Sequence, residues 1–340
     1  MKNIYGISKS ELEEFLINNG FKKFNATQIY EWLYQKKVTN FDLMSNLSLD
    51  LRNVLKENFV ISKLKVIDHL QDDLADKFLF ELNDSEKIEA VLMHHDYGFS
   101  LCISTQVGCN MGCAFCESGR LKKRRDLSAD EMVLQILEVE DILNLKITHV
   151  VLMGIGEPFD NYDNVIRFID IINDPKSLAL GSRHITVSTS GLIPAIKKFM
   201  DYDKQINLAI SLHAPNDELR SKLMKVNKAY PLKELIPVLK EYIKKTNRRL
   251  TFEYIMLKDV NDSVSNALEL ASLVKGMNCY VNLIPYNETS HIEFKKSSQD
   301  AIMRFYDTLK KKGIAVTIRK EFGGKLKAAC GQLRSIHEEG

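Results

Sequence analysis

From about residue 100 onward the chain alternates apolar strand candidates with amphipathic helices, a rhythm that few folds accommodate. The strands are read at Ser100 to Ser104, His149 to Met153, His184 to Ser188, Asn207 to Leu212, Thr251 to Met256 and Tyr280 to Ile284, with Val316 to Ile318 as a further candidate. The clearest of the intervening helices opens at the capping box Ser128-x-x-Glu131. Several strands are nearly continuous apolar runs, the pattern expected of a parallel sheet covered on both faces. Regular alternation of this kind leaves two architectures open, a (β/α) barrel and an open doubly wound sheet.

The first part of the chain reads differently. Ser8-x-x-Glu11 is a capping box ahead of Leu12, Phe15 and Leu16, which share a helical face, and Gly20 supplies a stop. Asn25-x-x-Gln28 opens a second helix carrying Ile29, Trp32 and Leu33, and a third follows Ser48 with Leu51, Val54 and Leu55. A helical unit of roughly 60 residues is near the lower limit for an autonomous core, so it is expected to lean on its neighbour. Lys77 to Leu82 and Lys87 to Met93 read as strands separated by the turn Asn83-Asp84-Ser85.

With 340 residues the chain can bury a full core and a small extra domain. It is 45% hydrophobic and 27% charged, without an apolar run long enough to cross a bilayer, and Met1-Lys-Asn-Ile-Tyr-Gly lacks the apolar segment of a signal peptide. A cytoplasmic protein is expected, in which six cysteines serve as metal ligands or reactive thiols rather than as a disulfide framework. A net charge of +2 neither demands nor excludes a nucleic-acid partner.

Three of the cysteines, Cys109, Cys113 and Cys116, form a Cys-x3-Cys-x2-Cys run directly after the first strand candidate. Three thiolates can hold three irons of a 4Fe-4S cluster and leave the fourth iron open. The open iron can take the amino and carboxylate groups of S-adenosylmethionine, and one electron then yields a 5'-deoxyadenosyl radical able to attack C–H bonds. The alternative is zinc, which prefers four ligands and usually two Cys-x2-Cys pairs.

In a barrel of this type the chemistry gathers at the carboxyl ends of the strands, and those ends are polar here. The second strand leads into Gly154-Ile-Gly156-Glu157-Pro158, where small residues admit a ligand and a carboxylate can take its ammonium group. The third ends in Ser188-Thr189-Ser190-Gly191, the fourth in Ser211-Leu212-His213-Ala214-Pro215, and the sixth in Pro285-Tyr286-Asn287. Each alone is ordinary loop chemistry, but four such ends together with the cysteines suit a ligand bearing a ribose, a carboxylate and an adenine ring.

The motif set resembles the RlmN/Cfr family of radical S-adenosylmethionine RNA methyltransferases, over nearly the whole chain. The carrying segments are Leu101-Cys-Ile-Ser-Thr-Gln-Val-Gly-Cys109, Met153-Gly-Ile-Gly-Glu-Pro158, Ile185-Thr-Val-Ser-Thr-Ser-Gly191, Ala209-Ile-Ser-Leu-His-Ala-Pro215, Val281-Asn-Leu-Ile-Pro285 and Ala328-Ala-Cys-Gly-Gln-Leu333. Gly156-Glu-Pro158 and Ser188-Thr-Ser-Gly191 are more similar to the RlmN branch. The resemblance implies a partial (β/α)6 barrel at 99–320, a helical accessory domain at 1–75, a strand extension at 76–98 and a C-terminal segment at 321–340. It implies methylation of carbon 2 of adenosine 2503 in 23S rRNA and of adenosine 37 in tRNA. The implied cofactors are the cluster and S-adenosylmethionine, two molecules per turnover, and the implied partners are both RNAs and a low-potential electron donor such as flavodoxin or ferredoxin.

By the same resemblance Cys109, Cys113 and Cys116 hold the cluster, while Gly156, Glu157, Ser188, Ser211, Leu212, His213 and Asn287 bind S-adenosylmethionine. Cys330 is the methyl carrier, Cys102 the thiol that resolves the RNA-linked intermediate and leaves a disulfide, and Glu89 the proton acceptor. Read as residues alone, Cys330 is equally a small buried hydrophobe, Cys102 a strand residue turned into the core, and Glu89 a solvated strand position. Cys279 reads as packing. The match departs at Glu117 after the third cysteine, at Glu288 after Asn287, and at Lys325 and Lys327, where acidic residues are usual. Basic runs at Lys122 to Arg125, Lys244-Lys245 with Arg248-Arg249, and Arg319-Lys320 are candidates for phosphate contact, the first favoured by its place beside the cysteine loop. Competing readings are carbon-8 methylation of the same base, a radical enzyme with another substrate, and a non-catalytic RNA-binding protein with structural zinc.

Overall fold

A computed structural model describes residues 1–320. Its centre is a ten-stranded sheet in which every strand neighbours the next in sequence. The strands are β1 (Lys65–Gln71), β2 (Ala75–Glu81), β3 (Lys87–His95), β4 (Gly98–Cys102), β5 (His149–Leu152), β6 (Ile185–Thr189), β7 (Asn207–Ser211), β8 (Leu250–Met256), β9 (Cys279–Pro285) and β10 (Val316–Ile318). β1 to β4 pair antiparallel, and from β4 to β10 every pairing is parallel. This parallel-dominated α/β sheet has the predicted strands in the predicted order. β4 is the junction, joined to Val91 on one side and Val151 on the other through Cys102.

The strands are not covered alike on both faces. One face carries Phe78, Leu92, Leu101, Val150, Val187, Ile210, Phe252 and Leu283 into the main core, beneath the helices. The other bears Ser100, Thr186, Asn207, Thr251, Glu253 and Asn282, which line a cavity. The alternation is period two, hydrophobic out and polar in, so the expectation of a doubly apolar sheet is corrected.

Helices α4 (Ala129–Leu143), α5 (Tyr162–Asn173), α6 (Ile193–Phe199), α7 (Asp217–Leu223), α8 (Leu232–Thr246), α9 (Val264–Leu273) and α10 (Gln299–Lys311) fill the crossovers. α4 starts as its sequence dictates: the Glu131 carboxylate accepts the Ser128 N–H at 2.9 Å. It stops at Asn144, in the left-handed conformation that asparagine tolerates. Three earlier helices, α1 (Lys9–Asn18), α2 (Asn25–Tyr30) and α3 (Leu49–Asn58), precede the sheet. Their buried residues, including Leu12, Ile29 and Leu55, belong to the same apolar core as the barrel strands. The helical part therefore leans on the barrel. The helices end at Asn58, and β1 lies in the interval that the sequence assigned to the helical domain. β1 is an edge strand with a largely exposed Lys-Val-Ile-Asp-His-Leu-Gln pattern, so it has no apolar run to betray it.

Candidate active site

The carboxyl ends of β4 to β8 converge on one pocket. It is lined by Cys109, Cys113 and Cys116, by Gly154, Gly156 and Glu157, by Ser188, Thr189 and Ser190, by Ser211 and His213, and by Glu253. Cys109 is buried and Cys113 and Cys116 are half-buried. Burial pushes the Cys109 thiol up to about 12 and that of Cys113 well above the usual thiol range. Coordination by a cation would reverse this, since a metal-bound thiol is deprotonated outright. Among the described residues, no three His, Cys, Asp or Glu side chains converge on one metal-sized point. A four-iron cluster takes each thiolate on a separate iron. The donor set fits the cluster.

The cysteine loop is tied down on both sides. The Cys109 N–H donates to Leu121 O at 3.0 Å and the Ala114 N–H to Leu223 O at 2.9 Å. Gly108 has φ +73°, and a Cβ there would stand 2.2 Å from the Lys122 carbonyl, so the turn admits only glycine without rearrangement. Gln106 joins this loop to the next strand end, accepting the Glu157 N–H at 2.9 Å and donating to Asp126 and Asp160. Nothing in its sequence context signalled this.

Glu157 is buried, and its carboxylate accepts the backbone N–H of Ser190 at 2.7 Å and of Phe159 at 3.1 Å. Burial raises its pKa, opposed by those hydrogen bonds. The Ser190 hydroxyl is buried beside the Glu157 carboxylate and lines the pocket, where a polar ligand group could reach it. His213 has φ +58°, and its Nδ1 accepts the Ile255 N–H at 3.0 Å. Burial first, then the charge of Arg220, push its pKa down to about 3. The ring is thus a neutral imidazole with its proton on Nε2.

Not every expected binding residue reaches the pocket. The Leu212 side chain belongs to the apolar core, and its contribution is the backbone: its carbonyl receives Arg220 Nε at 3.1 Å. Asn287 follows β9 half-buried and is not among the lining residues. Arg220 itself was missed from sequence, because an arginine in Asp217-Glu-Leu-Arg220 reads as a solvated helix face, yet it is fully buried.

On the polar face of the sheet Cys102 is buried against Ala75, Val91, Met93 and Ile155, with Met153 packed beside them. Met153 also lines the pocket of the three cysteines. Two positions before Val91 on the same face, Glu89 forms a buried ion pair with Lys77 at 2.7 Å. The reading of Glu89 as a solvated position is corrected. No disulfide joins two described cysteines, and Cys330 lies outside the described residues. Cys279 packs against the main core. Glu117 is buried near Arg120 and His291.

The favoured basic run is largely engaged within the chain. Lys123 pairs with Asp126 and Asp160, Arg124 with Glu86, and Arg125 with Asp84 and Glu131. The Arg124–Glu86 and Arg125–Asp84 pairs tie the turn between β2 and β3 to the segment that follows the cysteine loop. Arg249 lies over the Tyr280 ring at 4.5 Å.

Residues 103–271 match the model of the radical SAM superfamily, and fold and cysteine pocket together define a radical SAM protein. A radical SAM methyltransferase from Sphaerobacter thermophilus is 40% identical, superposes with a TM-score of 0.92, and covers 98% of this chain and 100% of its own. Residues 2–61 match the ribosomal RNA large subunit methyltransferase N-terminal domain. A probable dual-specificity RNA methyltransferase RlmN from Acholeplasma laidlawii is 53% identical over 333 residues, 98% of each chain. One from Enterococcus faecalis is 53% identical over 98% of this chain and 96% of its own. The chain belongs to the RlmN family.

Proposed function

We propose that this protein methylates carbon 2 of an adenosine in 23S rRNA, and of an adenosine in tRNA, through a methyl group carried first on Cys330. The observation that supports the reading most is the single pocket shared by the three cysteines, Gly156-Glu157 and the hydroxyls at the ends of β6 and β7. Cys109, Cys113 and Cys116 would hold the 4Fe-4S cluster, whose electron splits bound S-adenosylmethionine to supply the 5'-deoxyadenosyl radical.

The chain's own residues account for the remaining demands. A ring carbon of adenine is a poor nucleophile, so the methyl group must reach it in activated form from the Cys330 sulfur. Glu157 and Ser190 offer acceptors for the ammonium and hydroxyl groups of the cofactor, and Gly156 lets it approach the backbone. Glu89 takes the proton lost from the ring carbon. The Cys102 thiolate then attacks the Cys330 sulfur and the carbon–sulfur bond breaks; the freed methylene carbon takes up a proton to become the methyl group, the one electron in excess would return to the cluster that supplied it, and the Cys102–Cys330 disulfide left behind must be reduced before the next cycle. Met153, shared by the pocket and the Cys102 cluster, supports placing the two stages side by side.

A low-potential donor such as flavodoxin or ferredoxin would supply electrons, and the cytoplasm would hold all partners. Among the described residues no helix is long and apolar enough to cross a membrane. Mass spectrometry of rRNA and tRNA from cells with and without the gene tests the proposal. Loss of 2-methyladenosine from both RNAs is expected, and loss of 8-methyladenosine instead would assign carbon 8.

A further inference from the structure

Arg220, on α7, has no solvent exposure. Its guanidinium donates to the carbonyls of Ser190 at 2.6 Å, Ser211 at 3.1 Å and Leu212 at 3.1 Å, and to Asn227 Oδ1 at 2.9 Å. All four partners are neutral. A buried cation needs an anion as well as hydrogen bonds, because carbonyl dipoles only partly replace the water it has lost. Among the described residues no carboxylate forms an ion pair with it: Asp217, the acidic group that acts on it, is hydrogen-bonded instead by Asn227 and the Leu232 N–H.

The missing counter-charge has an address. α7 packs on the cysteine loop, with Leu219 and Leu223 against Cys113, Phe115 and Cys116, and the Ala114 N–H bonded to Leu223 O. The carbonyls that the guanidinium grips belong to Ser190 and Ser211, which line the same pocket as Cys109, Cys113 and Cys116. A four-iron core bound by three thiolates is an anion, and it becomes more negative when it accepts an electron.

We propose that Arg220 is the built-in counter-charge of the cluster, stabilising its reduced form and thereby raising its reduction potential. The inference rests on Cys109, Cys113 and Cys116 being the cluster ligands. The same guanidinium holds the ends of β6 and β7 together through their carbonyls, so charge and scaffolding must be separated by experiment.

The test uses the full-length protein reconstituted anaerobically with iron and sulfide, as wild type, Arg220→Lys and Arg220→Gln. Iron and sulfide are assayed, and the cluster is titrated with reductant while its electron paramagnetic resonance signal is followed. Arg220→Gln should lower the midpoint so that the reduced fraction relative to oxidised falls at least tenfold at the wild-type midpoint, about 59 mV for a one-electron couple. Arg220→Lys, which keeps the charge and loses the fork, should stay close to wild type in potential while melting at a lower temperature. An unshifted Arg220→Gln, or an Arg220→Lys shifted as far as Arg220→Gln, would overturn the proposal. If Arg220→Gln does not fold, Asn227→Asp brings a carboxylate onto the guanidinium and should also lower the midpoint. An unchanged midpoint there is equally contrary. Wild type without iron would refute the ligand assignment itself, an outcome distinct from a loaded cluster of unaltered potential.

Discussion

The ammonium of Lys77 lies 2.7 Å from the carboxylate of Glu89, and both side chains are withdrawn from water on the polar face of the sheet. Removing one partner strands the other, at a cost of about 3 to 5 kcal/mol. Glu89→Gln should therefore melt well below wild type, and Lys77→Met combined with Glu89→Gln should recover most of the loss in a denaturant titration. Turnover should not recover in the double variant if Glu89 accepts the ring proton. A double variant that regains both stability and activity would leave Glu89 with a structural role alone.

Glu253 gives a pH prediction. Burial raises its pKa, against the lowering effects of Arg319 and the Asn282 hydrogen bond. Between its unfolded and folded values the native state binds more protons than the unfolded one, so stability falls as pH rises through that window. Glu253→Gln should thus be more stable than wild type at neutral pH, and the gain should vanish as pH drops below the ordinary carboxylate range. Urea titrations across pH check this, and a constant difference at every pH would contradict it.

Gly156 has φ +111°, and a Cβ there would sit 2.7 Å from Gln106 Cβ and 2.8 Å from Thr105 Oγ1. Gly156→Ala should cost about 1 to 3 kcal/mol in backbone strain. It should also weaken S-adenosylmethionine binding in equilibrium dialysis by tenfold or more, since the displaced loop carries Glu157. Undiminished binding would separate this loop from the cofactor.

How legible the site was depended on whether a residue's role is local or distant. The strands were readable because apolar runs and capping boxes are written in adjacent residues, and the glycines and cysteines follow strand ends in sequence. Arg220 was not readable: what buries it is the meeting of α7 with the ends of β6 and β7, residues 8 to 30 positions away. The run Lys122 to Arg125 looked like an RNA contact because its partners Asp84, Glu86 and Asp160 lie far off in sequence. Glu89 looked solvated for the same reason, Lys77 being on the neighbouring strand.

The ligand assignment makes a separate prediction about iron. Replacing Cys102, Cys279 and Cys330 together by alanine should leave close to four irons per chain after anaerobic reconstitution, the complement of one cluster. Replacing Cys113 alone should remove most of it. Cluster loss in Cys330→Ala alone would count against the assignment.

The central claim is that two thiols, Cys330 and Cys102, carry and then release the methyl group, and covalent RNA capture tests it most directly. Cys102→Ala should join the base through Cys330 but be unable to break the bond, so RNA-linked protein accumulates as a nuclease-sensitive shift on a denaturing gel. Cys330→Ala should give no link. Normal turnover by Cys102→Ala, or an RNA adduct formed by Cys330→Ala, would contradict the account.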